Sequence, residues 1–281
     1  MKVVSTLQEL HTARKAFQGT VGFVPTMGFL HAGHISLVNS ARAGCTNVVA
    51  SIFVNPTQFG PNEDLAKYPR DLPRDLAMLE AAGVGLVWTP TVEGMYPTGY
   101  QTWVDVEGLT VGLEGEIRPG HFRGVATIIA KLFNAIRPDR AYFGQKDAQQ
   151  AAVIRQMTTD LDFPIEIVVC PTIREADGLA MSSRNSYLNP EERKVAPILF
   201  RALSTAKTTY KSGVREAESL RRVMRDLIIS EPLARLQYVS CANYDTLEEL
   251  IVVQNKALLS MAVFLGKTRL IDNIVIGDQV E

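Results

Sequence analysis

Two histidines, His31 and His34, enclose Ala32 and Gly33 in the stretch PTMGFLHAGHISLVNSAR at 25–42. Three chemistries suit such a pair: zinc ligation, packing in a core, or hydrogen bonding to an anion. Zinc needs a third ligand; His11 and His121 are the remaining histidines, and the sequence has no H-E-x-x-H pattern. Two polar rings beside Gly28 and Gly33 make a poor core. The anion reading draws on what flanks the pair. An apolar run ends at Pro25, and a helical pattern opens near Gly33 or His34. The backbone N–H groups and dipole at a helix N-terminus attract a phosphate. Glycines allow close approach of chain and ligand, and imidazoles can donate to phosphate oxygens.

Four other polar stretches carry groups of the same kind. VNPTQFGPNEDLAKYPRD (54–71) offers Asn55 and Gln58, whose amides can orient a small polar substrate. FGQKDAQQ (143–150) sets Gly144 at the end of a strand and Lys146 and Asp147 at a turn. Gln149 and Gln150 then fall in a first helical turn. GEIRPGHFRG (115–124) is an exposed loop or an anion-contacting flap bearing Arg118, His121 and Arg123. READGLAMSSRNSYL (174–188) includes Ser182, Ser183 and Arg184, a donor-rich loop whose guanidinium fork matches phosphate oxygens. Each stretch by itself also reads as an ordinary solvated loop. No Walker A loop, nucleophile elbow or G-x-G-x-x-G fingerprint is present.

The elements that must position these groups alternate. Strand patterns cover 20–26, 47–54, 84–90, 140–144 and 165–172. Helical patterns cover 34–44, 71–83, 123–138 (stopped by Pro138) and 147–161 (capped by Asp147). This alternation predicts an α/β fold, a Rossmann-like doubly wound parallel sheet with helices on both faces. Ligands of such sheets bind beyond the carboxyl ends of the strands, where every distinctive cluster falls. The pattern changes near residue 172. Two charged helices (189–213 and 214–230) precede three strand-like segments (236–245, 257–266 and 268–277). The expected division is a domain at 1–172 and a smaller α+β C-terminal domain at 173–281 carrying the MSSR loop.

Composition narrows the class. The chain has 281 residues, 46% of them hydrophobic, and a formal net charge of −1. No global positive field draws it to nucleic acid. Cys45, Cys170 and Cys241 stand far apart with no C-x-x-C pair, which fits a reduced, cytoplasmic setting. No apolar run reaches the ~20 residues of a membrane span, and MKVVSTLQEL lacks the apolar core of a signal peptide.

The H-x-G-H turn after the first strand resembles the signature of the HIGH-type nucleotidyl transferases, and MSSRN stands where their second signature loop stands. PTMGFLHAGH, FVNPTQF, YPRD, IRPGHFRGV, FGQKDAQQ and DGLAMSSRN, in that order over roughly 24–189, resemble the pantothenate synthetase (pantoate–β-alanine ligase) family. The resemblance implies ATP-dependent joining of (R)-pantoate to β-alanine through pantoyl adenylate, with release of pyrophosphate and AMP. It implies His34 as a catalytic proton donor, acting with His31, Lys146 and Arg184. ATP would lie along Met27, Gly28, Phe29, Leu30, His31, Ala32, Gly33 and His34. It would also meet Gly144, Gln145, Lys146 and Asp147, the backbone of Ile173, and Met181, Ser182, Ser183 and Arg184. Gln58 would bind pantoate and then β-alanine, and Gln150 pantoate. Mg2+ would accompany ATP, with Asp75 as its candidate protein support, and the chain would be a homodimer. Three positions depart from the family pattern: Phe29 where a smaller residue is expected, Ala32 where a charged one is frequent, and Arg74 at a less basic position. The rivals are another HIGH-type nucleotidyl transferase or adenylate-forming ligase, a tRNA synthetase relative with a basic RNA surface, and a nucleotide-binding scaffold without turnover.

Overall fold

The computed structural model of the protein describes residues 1–61 and 63–277. Two compact units divide the chain: Met1–Gln145 with Gln149–Pro171, and Lys146–Ala148 with the chain from Thr172 on.

The first unit is built on six strands, β1 (Lys2–Val4), β2 (Val21–Thr26), β3 (Asn47–Ile52), β4 (Leu86–Trp88), β5 (Arg140–Gly144) and β6 (Glu166–Cys170). All pair in parallel, in the order β1-β4-β3-β2-β5-β6. Between them run α1 (Leu7–Arg14), α2 (Ala32–Gly44), α3 (Leu72–Ala81), α4 (Val92–Met95), α5 (Glu114–Ile117), α6 (His121–Ile136) and α7 (Ala148–Asp160). The strand order reverses between β2 and β5, and such a switch point opens a crevice at the strands' carboxyl ends.

The two-residue period of the strands explains why both faces are covered. Val21, Phe23, Val49, Leu86, Trp88, Ala141 and Phe143 pack with Leu10 of α1, the apolar side of α6, and Ile154 and Met157 of α7. The intervening Val24, Val48, Ala50, Val87 and Tyr142 pack with Leu37, Val38 and Ala41 of α2 and Leu79 of α3. Each fully buried large apolar side chain contributes roughly 1.5–3 kcal/mol. That holds the strand ends, and the turns they carry, in fixed positions.

The second unit has α8 (Pro190–Val195), α9 (Ile198–Lys211), α10 (Ala217–Ile229) and an antiparallel sheet β7-β8-β9 (Ala234–Asn243, Ala257–Leu265, Thr268–Ile276). Leu259, Met261 and Val263 of β8 pack against Leu199, Leu203, Leu220 and Met224. The single helix expected over 189–213 is broken: Pro197 has no N–H to continue α8, and α9 starts afresh behind it. Asp147, expected as a helix cap, ends a 3₁₀ turn (Gln145–Asp147), with its carboxylate 3.6 Å from Lys146 Nζ. Helix α6 closes at Ile136 because Arg137 turns left-handed ahead of Pro138. No described helix is long and apolar enough to cross a membrane.

Candidate active site

The turn after β2 is locked from three sides. Thr26 Oγ1 donates to Ser51 O (2.8 Å) and accepts from Gly28 N (3.2 Å). Gly28 and Phe29 both adopt positive φ, 81° and 49°. The turn survives that strain because the carboxylate of Asp75 accepts Phe29 N and Leu30 N, each at 2.7 Å. Asp75 is 1% exposed. Each of its oxygens accepts one backbone N–H, so the residue expected beside the metal serves in the structure as the clamp of the turn.

The two histidines cap α2 reciprocally. His31 is the N-cap; its Nδ1 accepts from Gly33 N (3.2 Å), while His31 N donates to His34 Nδ1 (3.3 Å). The rings lie 4.1 Å apart, tilted by 46°. An Nδ1 that accepts must be bare, so each neutral ring carries its proton on Nε2. The pair therefore presents N–H donors at the positive end of a helix. Such an arrangement can donate to an anion. Among the described residues no group of three or more His, Cys, Asp or Glu side chains is gathered to hold a metal.

Gln58 lies beyond β3, on a 3₁₀ turn (Pro56–Gln58), and is buried. Its Oε1 accepts from Asn55 Nδ2 (3.1 Å), and its Nε2 lies 3.2 Å from Met27 Sδ, beside the histidine turn. Asn55 is fixed in turn: Nδ2 donates to Gly124 O (3.2 Å), and Oδ1 accepts from Tyr96 OH (2.9 Å) and Thr57 Oγ1 (3.0 Å). Gly124 of α6 is the seat of this turn. A Cβ there would meet Thr57 O at 2.4 Å, so the close approach requires glycine.

In the Arg118–Arg123 segment both guanidinium groups are held by acidic side chains. Arg118 spends Nε and Nη2 on Glu63 (both 2.7 Å) and Nη1 on His121 Nε2 (3.0 Å). Arg123 lies over the Trp103 ring at 5.0 Å and pairs with Asp105. Burial, and then the charge of Arg118, push the His121 imidazole down to about 4. Burial works upward on Glu63, but the hydrogen bonds and charge of Arg118 outweigh it and hold the carboxyl below its ordinary range. The linkage has a definite sign. Folded His121 stays neutral while the unfolded chain takes up a proton below pH 6.5, so stability is full above 6.5 and drains away toward pH 4. The loss from this group is about 3 kcal/mol. Urea unfolding from pH 7 to 4 should show it, and the slope should flatten in His121→Asn.

Gln149 and Gln150 separate in role. Gln149 is buried and clasps the preceding loop, accepting from Glu114 N and donating to Leu109 O and Gly112 O. Gln150, one position on, is half-buried. In the second unit, Lys146 is 19% exposed, and its carbonyl accepts from Asn273 Nδ2 (2.8 Å). The MSSR loop is presented by a tight hairpin. Met181 N donates to Ile173 O (2.9 Å), and Arg174 and Ala180 form a bridge. Arg174 is anchored by a two-point ion pair to Asp272 (2.6 and 2.9 Å). Ser182 Oγ caps the 3₁₀ turn Ser183–Tyr187 through Arg184 N, and Asn185 Nδ2 ties the turn to Glu175 and Ala180 O. Sequence reasoning missed Asp75 as a clamp, the Tyr96–Asn55 support and the Arg174–Asp272 anchor. All three join residues 41 or more positions apart.

A family model described as pantoate-beta-alanine ligase matches residues 2–275. The pantothenate synthetase of Herpetosiphon aurantiacus is 60% identical over 276 residues, 98% of this chain and 100% of its own. That of a Roseiflexus species (strain RS-1) is 61% identical over 98% and 99%. Among solved structures, pantothenate synthetase from Thermus thermophilus superposes with a TM-score of 0.93 at 50% identity, covering 98% of this chain and 99% of that one. Pantoate-beta-alanine ligase from Francisella tularensis, complexed with beta-gamma ATP and beta-alanine, gives 0.82 at 34% identity over 98% and 97%. The chain belongs to the pantoate-beta-alanine ligase family.

Proposed function

We propose the following chemistry for this ATP-dependent ligase. A pantoate carboxylate oxygen attacks the α-phosphorus of ATP, and pyrophosphate leaves. The β-alanine amine then attacks the acyl carbon of pantoyl adenylate, loses a proton and expels AMP. A carboxylate with a pKa near ~4 is already ionised at neutral pH, so the first step needs no strong base. It needs an anion brought against a polyanion, in line, with donors where charge develops. The observation that carries this reading is the pair of Nε2-protonated histidines capping α2 at the strand-order switch point.

In this assignment Met27–His34 bind the nucleotide, with His31 and His34 donating to phosphate oxygens and His34 acting as proton donor. Gly144 and Gln145 line the same nucleotide. Lys146, Asp147, the Ile173 backbone and Met181–Arg184, on the second unit, serve ATP, with Lys146 and Arg184 offsetting phosphate charge. The Ile173 backbone, whose carbonyl accepts from Met181 N, would meet adenine. Gln58 and Gln150 bind pantoate, and Gln58 then receives β-alanine. Mg2+ binds chiefly phosphate oxygens and needs few carboxylates, which fits a described surface without a preassembled acidic cage. It would lower the negative charge that pantoate meets. The absence of any disulfide among Cys45, Cys170 and Cys241 suits a cytoplasmic setting, and the resemblance adds a homodimer without nucleic-acid or membrane partners.

The test is release of pyrophosphate and AMP from Mg-ATP and pantoate, with and without β-alanine. Pantoate-dependent pyrophosphate release, with sustained AMP formation only when β-alanine is present, is expected. Turnover indifferent to pantoate would overturn the substrate assignment, and pyrophosphate release that never leads to AMP would point to a simple nucleotidyl transferase.

A further inference from the structure

Gln58 is aimed by contacts it does not itself supply. Its backbone carbonyl accepts from His121 Nδ1 at 2.8 Å, and Arg118 Nη2 approaches the same oxygen at 3.5 Å. Arginine has no acceptor atom, so His121 Nε2 must accept from Arg118 Nη1 and the ring must carry its proton on Nδ1. Only the neutral ring can hold both bonds at once. His121 is 8% exposed and faces Arg118, Glu63 and Glu114, with the Phe122 ring 4.9 Å away. Glu63 fixes the far end of Arg118 by two hydrogen bonds. A chain of contacts thus runs Glu63–Arg118–His121–Gln58 O, and none of its first three members belongs to the assigned ligand-binding residues.

We infer that His121, held by Arg118 and Glu63, is a positioning residue for pantoate: it fixes the carbonyl of Gln58 and through it the direction of the Gln58 amide. The inference rests on the reading that Gln58 binds pantoate. Two supports converge on this short turn, His121 on the carbonyl and Asn55 on the side chain, and Asn55 is itself bonded to the α6 backbone at Gly124. The first turn of α6 therefore sets the amide from both ends. Burial and the Arg118 charge, which keep the ring neutral, serve the same arrangement. The alternative is a purely structural role, in which loss of His121 weakens the fold and lowers all activity alike.

Steady-state kinetics on variants of His121, Gln58 and Glu63 separate these cases. His121→Ala should raise the KM for pantoate about tenfold, the effect of one good hydrogen bond, with the KM for ATP within about twofold. His121→Asn, whose amide N–H can stand in for Nδ1–H, should return the pantoate KM close to wild type. His121→Ala should add nothing on a Gln58→Ala background. An unchanged pantoate KM in His121→Ala, an equal rise in both KM values, or no rescue by asparagine overturns the inference. Should His121→Ala fail to fold, Glu63→Gln decides: a rise of about threefold in the pantoate KM alone supports the relay, and no rise rejects it. If Gln58→Ala itself leaves the pantoate KM unchanged, the substrate reading has failed first, and that result is distinct from a failure of His121 alone.

Discussion

His34→Ala is expected to fold and to form pantoyl adenylate about 10²–10³-fold more slowly than the parent, the effect of removing one donor from a site of developing charge. The imidazole has two separable duties. Its Nδ1 accepts His31 N and completes the cap of α2, worth about 1 kcal/mol of stability. Its Nε2–H is the donor assigned to phosphate. Two conservative variants divide these. Asparagine can place an oxygen near Nδ1 and restore the cap without the outer donor. Glutamine can place an amide N–H near Nε2 and restore part of the rate without the cap. Rapid-quench measurement of pyrophosphate in a single turnover reads the rate, and urea unfolding reads the cap. Parental single-turnover rates in His34→Ala would remove His34 from the chemistry.

The alternation of strands and helices was legible because period-2 apolar runs and Gly or Pro stops are local signals. Residues 140–144 form the strand their pattern predicts, and the histidine turn follows β2, beside which the strand order reverses. The second unit was legible from a change in style near 172, and the structure divides the chain after Pro171 while grouping Lys146–Ala148 with the later residues. Such a grouping arises from pairings like Asn273 with Lys146 O, 127 positions apart, which no local pattern encodes. β1 and α1 were missed for another reason. Lys2–Val4 is three residues long, and the start of α1 rests on a Thr6–Glu9 capping box more than on an apolar stripe.

The candidate site was legible in its residue types and less so in its supports. Gln149 and Gln150 look alike in sequence, yet Gln149 is consumed by the Leu109–Glu114 loop. The departures at Phe29 and Arg74 look unrelated at 45 positions apart. In the structure they meet: the Arg74 guanidinium lies over the Phe29 ring at 5.2 Å, and its Nη2 donates to Leu30 O at 2.9 Å. A side chain at a left-handed position costs about 1–2 kcal/mol, and a cation–π contact of about 0.5–1 kcal/mol offsets part of that. The two departures are thus one local solution to holding the same turn.

That turn yields the second large effect. Asp75→Ala should lose ATP binding and destabilise the first unit by about 2–6 kcal/mol, although Asp75 is not assigned to touch any ligand. The figure is the sum of two N–H groups, a part-buried one on Phe29 and a buried one on Leu30, each left without an acceptor at about 1–3 kcal/mol. Strain adds to it, since Phe29 holds φ 49° only while its N–H is anchored. Asp75→Asn keeps the volume but turns an NH2 toward one of two donors, so one bond becomes a repulsion and the loss is intermediate. Gly28–Leu30 lead directly into the His31 cap, so a relaxed turn also releases the imidazoles from the N-terminus of α2. Calorimetric titration with ATP and urea unfolding on the same samples test this coupling, because both losses must appear together. A metal role predicts a different pair of results: parental stability in Asp75→Asn, with a weakened response to Mg2+. The 2.7 Å bonds from Phe29 N and Leu30 N, one to each carboxylate oxygen, make the first outcome the expected one.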